Sequence, residues 1–113
     1  MLKKTNRLAK TKDVELALKK GRGFFNPCFN LKFAPNREGG LRFTVVVSAK
    51  VSKKAVARNR LKRIIREFIR LRLARFVSGD YVIMLKPRAV QVAEAEVLAN
   101  LENLCREKHL FVS

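Results

Sequence analysis

The chain has 113 residues, 48% of them hydrophobic, with 26 Lys and Arg against 9 Asp and Glu and a formal net charge of +17. That length fits one domain, 1–113, with a modest core, and the aliphatic content argues against a disordered basic tail. Self-repulsion at +17 disfavours a compact state in isolation, so the fold is expected to sit against neutralising charge, nucleic acid first and an anionic membrane surface second.

Residues 1–10 read as a basic arm with Lys3, Lys4, Arg7 and Lys10. No apolar stretch follows it, so no signal peptide is read. No charge-free run approaches the ~20 residues of a membrane span. A cytoplasmic protein is expected. Val14, Ala17 and Leu18 then recur at helical spacing, with Thr11 or Asp13 at the start and Gly21 and Gly23 as the stop. The period next changes to two. Phe29, Leu31 and Phe33 alternate with Asn30 and Lys32 as a half-buried strand, and a short strand around Phe24 and Phe25 precedes it. The turn cluster 35–40 separates this strand from a second at 41–48, and the two are expected to pair as a hairpin.

The segment 50–75 carries eleven basic side chains and one acid, Glu67. On a helical wheel Ala57, Leu61, Ile64, Ile65, Phe68 and Leu71 share one arc, and Arg58, Asn59, Lys62, Arg63, Arg66 and Arg70 lie opposite. The pattern predicts an amphipathic helix over 55–75. A strand, 81–85, and a final helix, 92–105, follow, with 106–109 as its frayed end. The expected architecture is an α/β (α+β) two-layer sandwich. Its single mixed sheet of about four strands carries three helices, in the order α-β-β-β-α-β-α.

Catalytic groups are scarce. The only histidine is His109, read as a solvated residue near the C-terminus, and the acids form no DxD or ExxH pattern. Cys28 and Cys105 read best as two buried free thiols, although spacing leaves a disulfide open, and no metal-ligand spacing exists. No catalytic residue and no metal site is therefore assigned. Arginine forks on one helix face match phosphate oxygens, and each neutralised phosphate steepens the salt dependence of binding. A membrane-surface helix is the weaker alternative, because its apolar face is needed to cover the sheet.

The run Val47-Ser48-Ala49-Lys50, followed by Ala55-Val56-Ala57-Arg58-Asn59-Arg60-Leu61-Lys62-Arg63-Ile64-Ile65-Arg66, resembles the bacterial ribonuclease P protein component. Arg58-Asn59-Arg60 with Lys62-Arg63 is similar to that family's Arg-Asn-Arg signature. Lys3-Lys4 with Arg7-Leu8 looks like its basic arm, 13–21 its first helix, and Asp80-Tyr81-Val82-Ile83 with Lys86-Pro87 its last strand. Ala49 departs from the second lysine common there. The resemblance implies a left-handed strand–helix–strand crossover, against the usual preference. It also implies a protein subunit that helps a catalytic RNA remove the 5′ leader of precursor tRNA. The chemistry is then expected in the RNA, with Mg2+ in the holoenzyme and no cofactor bound by the protein alone.

Carried onto this sequence, RNA-subunit binding falls to Lys50, Lys53, Lys54, Arg58, Asn59, Arg60, Lys62, Arg63, Arg66 and Arg70. A leader cleft is walled by Val14, Leu18, Asn30 and Lys32. The family often has aromatics on those walls where bases stack, and Phe24 or Phe25 are the substitutes at hand. Partners are the RNA subunit and precursor tRNA, with no membrane and no obligate protein partner. The runner-up is a small basic ribosomal or other structural RNA-binding protein.

Overall fold

The computed structural model describes residues 4–36 and 40–112. Met1, Leu2, Lys3 of the basic arm, Arg37, Glu38 and Gly39 of the turn cluster, and Ser113 lie outside them. Three helices, α1 (Thr11–Lys20), α2 (Ala55–Leu71) and α3 (Glu94–Glu107), accompany four strands, β1 (Arg22–Phe25), β2 (Phe29–Ala34), β3 (Leu41–Val46) and β4 (Gly79–Leu85). The strands form one mixed sheet in the order β1-β2-β4-β3.

The expected hairpin between 29–34 and 41–48 does not form. β2 pairs antiparallel with β1 on one side and with β4 on the other, while β3 runs parallel to β4. Burial explains the choice. β4 is buried on both faces apart from a half-exposed Met84, which suits a central strand, whereas β3 ends on an exposed Val46. β4 therefore separates β2 from β3, which stand about 10 Å apart instead of pairing. The hairpin partner of β2 is the Phe24–Phe25 strand, joined through Asn26, whose side chain accepts from the Cys28 N–H at 2.8 Å.

Helices α2 and α3 cover one face of the sheet. Leu61, Ile65, Phe68 and Ile69 of α2 and Val97, Leu101, Leu104 and Cys105 of α3 pack there with Phe29, Leu31, Phe43, Tyr81 and Ile83. Each such side chain stabilises by about 1.5–3 kcal/mol on burial. Two residues depart from the wheel. Ile69 is fully buried, while Leu71 is 64% exposed, because the helix ends at Leu71 and not near Arg75. A short 3-10 turn, Leu73–Arg75, follows and brings Phe76 into the core.

On the second face α1 is the one α-helix among the described residues. Ala17, with Val14 and Leu18 half-buried beside it, packs against Leu8, Ala34, Val82 and Met84. Gly21 stops α1, but in an extended conformation with φ −71° and not the left-handed one expected of a terminal glycine. Its requirement is space: a Cβ there would stand 2.4 Å from the Ala17 carbonyl oxygen and 3.0 Å from that of Phe33. The end of α3 is not frayed. His109 adopts φ 58°, Leu110 N–H donates to Cys105 O at 2.8 Å and His109 N–H to Arg106 O at 3.4 Å, the paired bonds of a Schellman cap. Cys28 and Cys105 are both buried free thiols.

Candidate nucleic-acid interface

The basic surface is built on α2. Its first turn contains no acid, and its N-cap, Lys54, makes no side-chain cap. A helix N-terminus carries about half a positive charge, so the surrounding Lys50, Lys53 and Lys54 raise the local potential further. All three are exposed. An anion laid across this end relieves repulsion that the free chain must tolerate.

The ten residues expected to hold RNA separate into three groups. Lys50, Lys53, Lys54, Lys62, Arg63 and Arg66 have no ion pair among the described residues, and Asn59 is exposed beside them. Arg58 is half-buried and donates to the Ser52 carbonyl at 2.8 Å, so its guanidinium is tied to the loop entering the helix. Arg60 and Arg70 are engaged by acids: Arg60 pairs with Glu94 at the start of α3, and Arg70 with Glu67 one turn back. The Arg70 guanidinium holds the Glu67 carboxyl below its ordinary value, and the carboxylate raises Arg70 in return. Glu102 likewise meets Arg72, Arg75 and Arg106. Arg60 and Arg70 are thus charge-compensated, and the uncompensated cations lie at the N-terminus of α2 and at Lys62, Arg63 and Arg66 along it.

The four cleft residues fall on the α1 face of the sheet. Asn30 and Lys32 point there from β2, and Val14 and Leu18 reach the same face from α1, where each gives part of its surface to the small core beneath. Register places a row across the sheet beyond α1: Phe25 of β1, Asn30 of β2, Met84 of β4 and Val46 of β3. Phe25 is 70% exposed and Val46 is exposed, so the row is open to solvent. Within it the Asn30 side-chain oxygen is buried and has no hydrogen-bond partner among the described residues. Gly23 pairs with Lys32 in the register. A Cβ on Gly23 would lie 3.3 Å from the Lys32 ammonium and 3.3 Å from the tip of the Phe25 ring, so both groups extend over that glycine.

Phe25 is the site residue that alternation alone did not single out. Either member of the Phe24-Phe25 pair satisfies a strand. The pairing of Phe24 with Leu31 sends Phe24 to the main core and leaves Phe25 on the open face. On the other side of α1, a cavity of about 430 Å³ is lined by Asp13, Lys20, Arg42 and Asp80. Arg42 Nε and Nη2 donate to Asp80 at 2.8 Å each, and Nη1 donates to Asp13 at 3.2 Å. Its carboxylates make that side unsuited to an RNA phosphate. The Lys32 end offers a cation, an exposed ring and an unfilled amide.

Among the described residues no three His, Cys, Asp or Glu side chains gather as a metal-holding group. Glu67 of α2 and Glu94 at the start of α3 are each taken by an arginine. No described helix is long and apolar enough to cross a membrane.

Residues 2–109 match the family model described as Ribonuclease P. The ribonuclease P protein component of Xylella fastidiosa is 36% identical over 91 residues, which cover 80% of this chain and 67% of that protein. That of a Cyanothece species is 31% identical and covers 97% of each. The structure of the Staphylococcus aureus RNase P protein at 2.0 Å superposes with a TM-score of 0.89 at 26% identity, over 96% of this chain and 100% of that one. The Thermotoga maritima RNase P protein gives 0.78 at 30% identity, over 88% and 96%.

Proposed function

The chain belongs to the ribonuclease P protein family, the protein component of the ribonucleoprotein that processes tRNA 5′ ends, and from that premise we propose how its two surfaces divide the work. The uncompensated cations of α2, namely Lys50, Lys53, Lys54, Lys62, Arg63 and Arg66 together with Asn59, hold the catalytic RNA subunit. The open row Phe25–Asn30–Met84–Val46 takes the single-stranded 5′ leader of precursor tRNA. There Phe25 stacks on a base, Lys32 meets a phosphate, and the buried Asn30 oxygen accepts from a base or ribose donor. Val14 and Leu18 form the apolar wall opposite. Arg60 and Arg70 contribute less, because an RNA phosphate must first displace Glu94 or Glu67.

The observation that carries this reading is the pattern of pairing on α2: Glu94 and Glu67 take Arg60 and Arg70, while Lys50, Lys53, Lys54, Lys62, Arg63 and Arg66 have no carboxylate partner among the described residues. Hydrolysis is assigned to the RNA subunit, with Mg2+ as its metal. No metal is assigned to the protein itself; among the described residues no three metal-ligating side chains gather. The protein's part is to bind, orient and neutralise. We place the complex in the cytoplasm.

Reconstitution tests the reading. The purified chain mixed with a bacterial ribonuclease P RNA is expected to restore cleavage of a precursor tRNA at Mg2+ concentrations where the RNA alone is inactive. No stimulation at any protein-to-RNA ratio would sink it.

A further inference from the structure

Where the N-terminal segment, the edge of β3 and helix α2 meet, a small cavity of about 130 Å³ opens between Arg7, Thr44, Val45 and Arg66. β3 is an edge strand of the sheet. The N-terminal segment docks along part of that edge: Leu8 N–H donates to Phe43 O at 2.8 Å, and Asn6 Nδ2 to Leu41 O at 2.9 Å. Outward-facing backbone groups alternate along a strand, so Val45, two residues beyond Phe43, turns its N–H to the same edge. The bridge between the segment and β3 is at Arg7 and Phe43. Val45 lies past it and lines the cavity.

Two arginines 59 positions apart, Arg7 and Arg66, line the same cavity. Neither Arg7 nor Arg66 has a carboxylate within ion-pair distance among the described residues, whereas Arg42, Arg60, Arg70, Arg72, Arg75 and Arg106 all do. Among the described residues no acidic side chain lines the cavity. Two free arginine forks and an outward backbone N–H are the donor set that matches the oxygens of one tetrahedral anion. The cavity also lies on a path: Arg66 belongs to the bare side of α2, and Thr44 is two residues from Val46 of the open row.

We propose that Arg7, Arg66 and the Val45 amide form a binding site for a single RNA phosphodiester, where a strand passes from the α2 surface over the β3 edge to the open face of the sheet. The site rests on the RNA-binding role proposed above. It adds the N-terminal segment, through Arg7, to the groups that hold RNA, and an occupying phosphate fastens that segment to α2.

The test is amide NMR of the full chain titrated with a ribodinucleoside monophosphate and, separately, with inorganic phosphate. The Val45 amide is expected to shift saturably with both. Arg7→Gln and Arg66→Gln are each expected to weaken that response about tenfold, as for loss of one charge-assisted hydrogen bond. Lys19→Gln, which removes one charge elsewhere, should change it less than about twofold. Arg66→Lys, which retains the charge but not the fork, should fall between these and guards against a misfolded glutamine variant. An unmoved Val45 amide overturns the site, as do equal losses in all three glutamine variants. A response to inorganic phosphate without one to the dinucleotide overturns the RNA assignment. A chain with the Val45 response that fails to support precursor cleavage would lose the proposed function and keep the site. One that supports cleavage without the response loses only the site.

Discussion

Phe25 and Lys32, on neighbouring strands, extend side by side over the bare backbone of Gly23. An aromatic face and an ammonium so placed suit one nucleotide of a single strand, the base on the ring and the phosphate on the cation. Base–aromatic stacking is worth about 1–3 kcal/mol. Phe25→Ala is therefore expected to weaken binding of a precursor tRNA with a long leader by about tenfold in the reconstituted enzyme. A precursor with a one-nucleotide leader should respond little, and Phe25→Trp should restore the loss. The same drop for both leader lengths would remove Phe25 from the leader site. Stability should barely change, since the ring is already 70% exposed.

Arg63 and Arg70 lie on one helix and carry the same charge, yet among the described residues only Arg70 of the two has a carboxylate partner, Glu67. Arg63→Ala is expected to lower the salt slope of RNA-subunit binding by roughly one phosphate's worth, and Arg70→Ala by clearly less. Glu67→Gln, by releasing Arg70, should steepen the slope. Filter binding across a salt series measures all three. Indistinguishable slopes for the two alanine variants would show that the ion pair does not limit Arg70.

Asp80 is the one buried charged residue among those described, and it ties β4 to Arg42 of β3 by two bonds of 2.8 Å and to Asn36 by one more. Removing one partner of such a pair strands the other charge in a poorly solvated site. Asp80→Ala should cost about 2–4 kcal/mol in urea unfolding, with the slope unchanged. Asp13→Asn removes only the longer, more exposed contact to Arg42 and should cost about 1 kcal/mol or less. Equal costs would show that burial does not set the strength of these bonds.

His109 holds a left-handed backbone that glycine adopts freely. The Schellman bonds around it are made by backbone alone, so His109→Gly keeps them. The variant is expected to be more stable by about 0.5–1 kcal/mol, visible as a rise of a few degrees in Tm. A lower Tm would mean that the imidazole itself stabilises the end of α3.

Burial pushes the Cys105 thiol up to about 12, with Glu102 adding to the shift. A raised acid favours folding below its unfolded value, near 9.0, and that contribution is lost as pH climbs from there toward the folded value. Stability should fall by about 1.4 kcal/mol between pH 8 and 10 from this thiol. Tyr81, also raised by burial, adds its share above pH 10. Urea melts of the protein and of Cys105→Ala should differ in this slope, and parallel slopes would place the alkaline loss elsewhere.

Much of the fold is legible along the chain because short-range periodicity reports burial directly. The 3.6-residue recurrence of Leu61, Ile65 and Phe68 marks the buried stripe of α2, and the alternation of Phe29, Leu31 and Phe33 marks β2. The exposed ends are less legible. Leu71 continues the stripe in sequence but lies where the helix stops, and Ile69 is buried although it falls outside the arc. The basic set reads as uniform in one dimension, since a wheel shows which side of a helix a residue takes and not what faces it. Glu94 and Glu102 reach α2 only after α3 has docked.

By itself, then, the sequence determined the elements, the amphipathic basic helix and, through Arg58-Asn59-Arg60 with Lys62-Arg63, the family and its RNA-directed role. These are local patterns, set by side-chain period and by residue order. Tertiary structure decided everything that depends on which segment lies beside which. It inserted β4 between β2 and β3 because only a strand apolar on both faces fits the centre of a covered sheet. It turned Phe25 outward and Phe24 inward through one register. It neutralised Arg60 and Arg70 while leaving Arg63 and Arg66 bare, and it brought Arg7 beside Arg66. Strand pairing and charge pairing join residues tens of positions apart, and no local period encodes them.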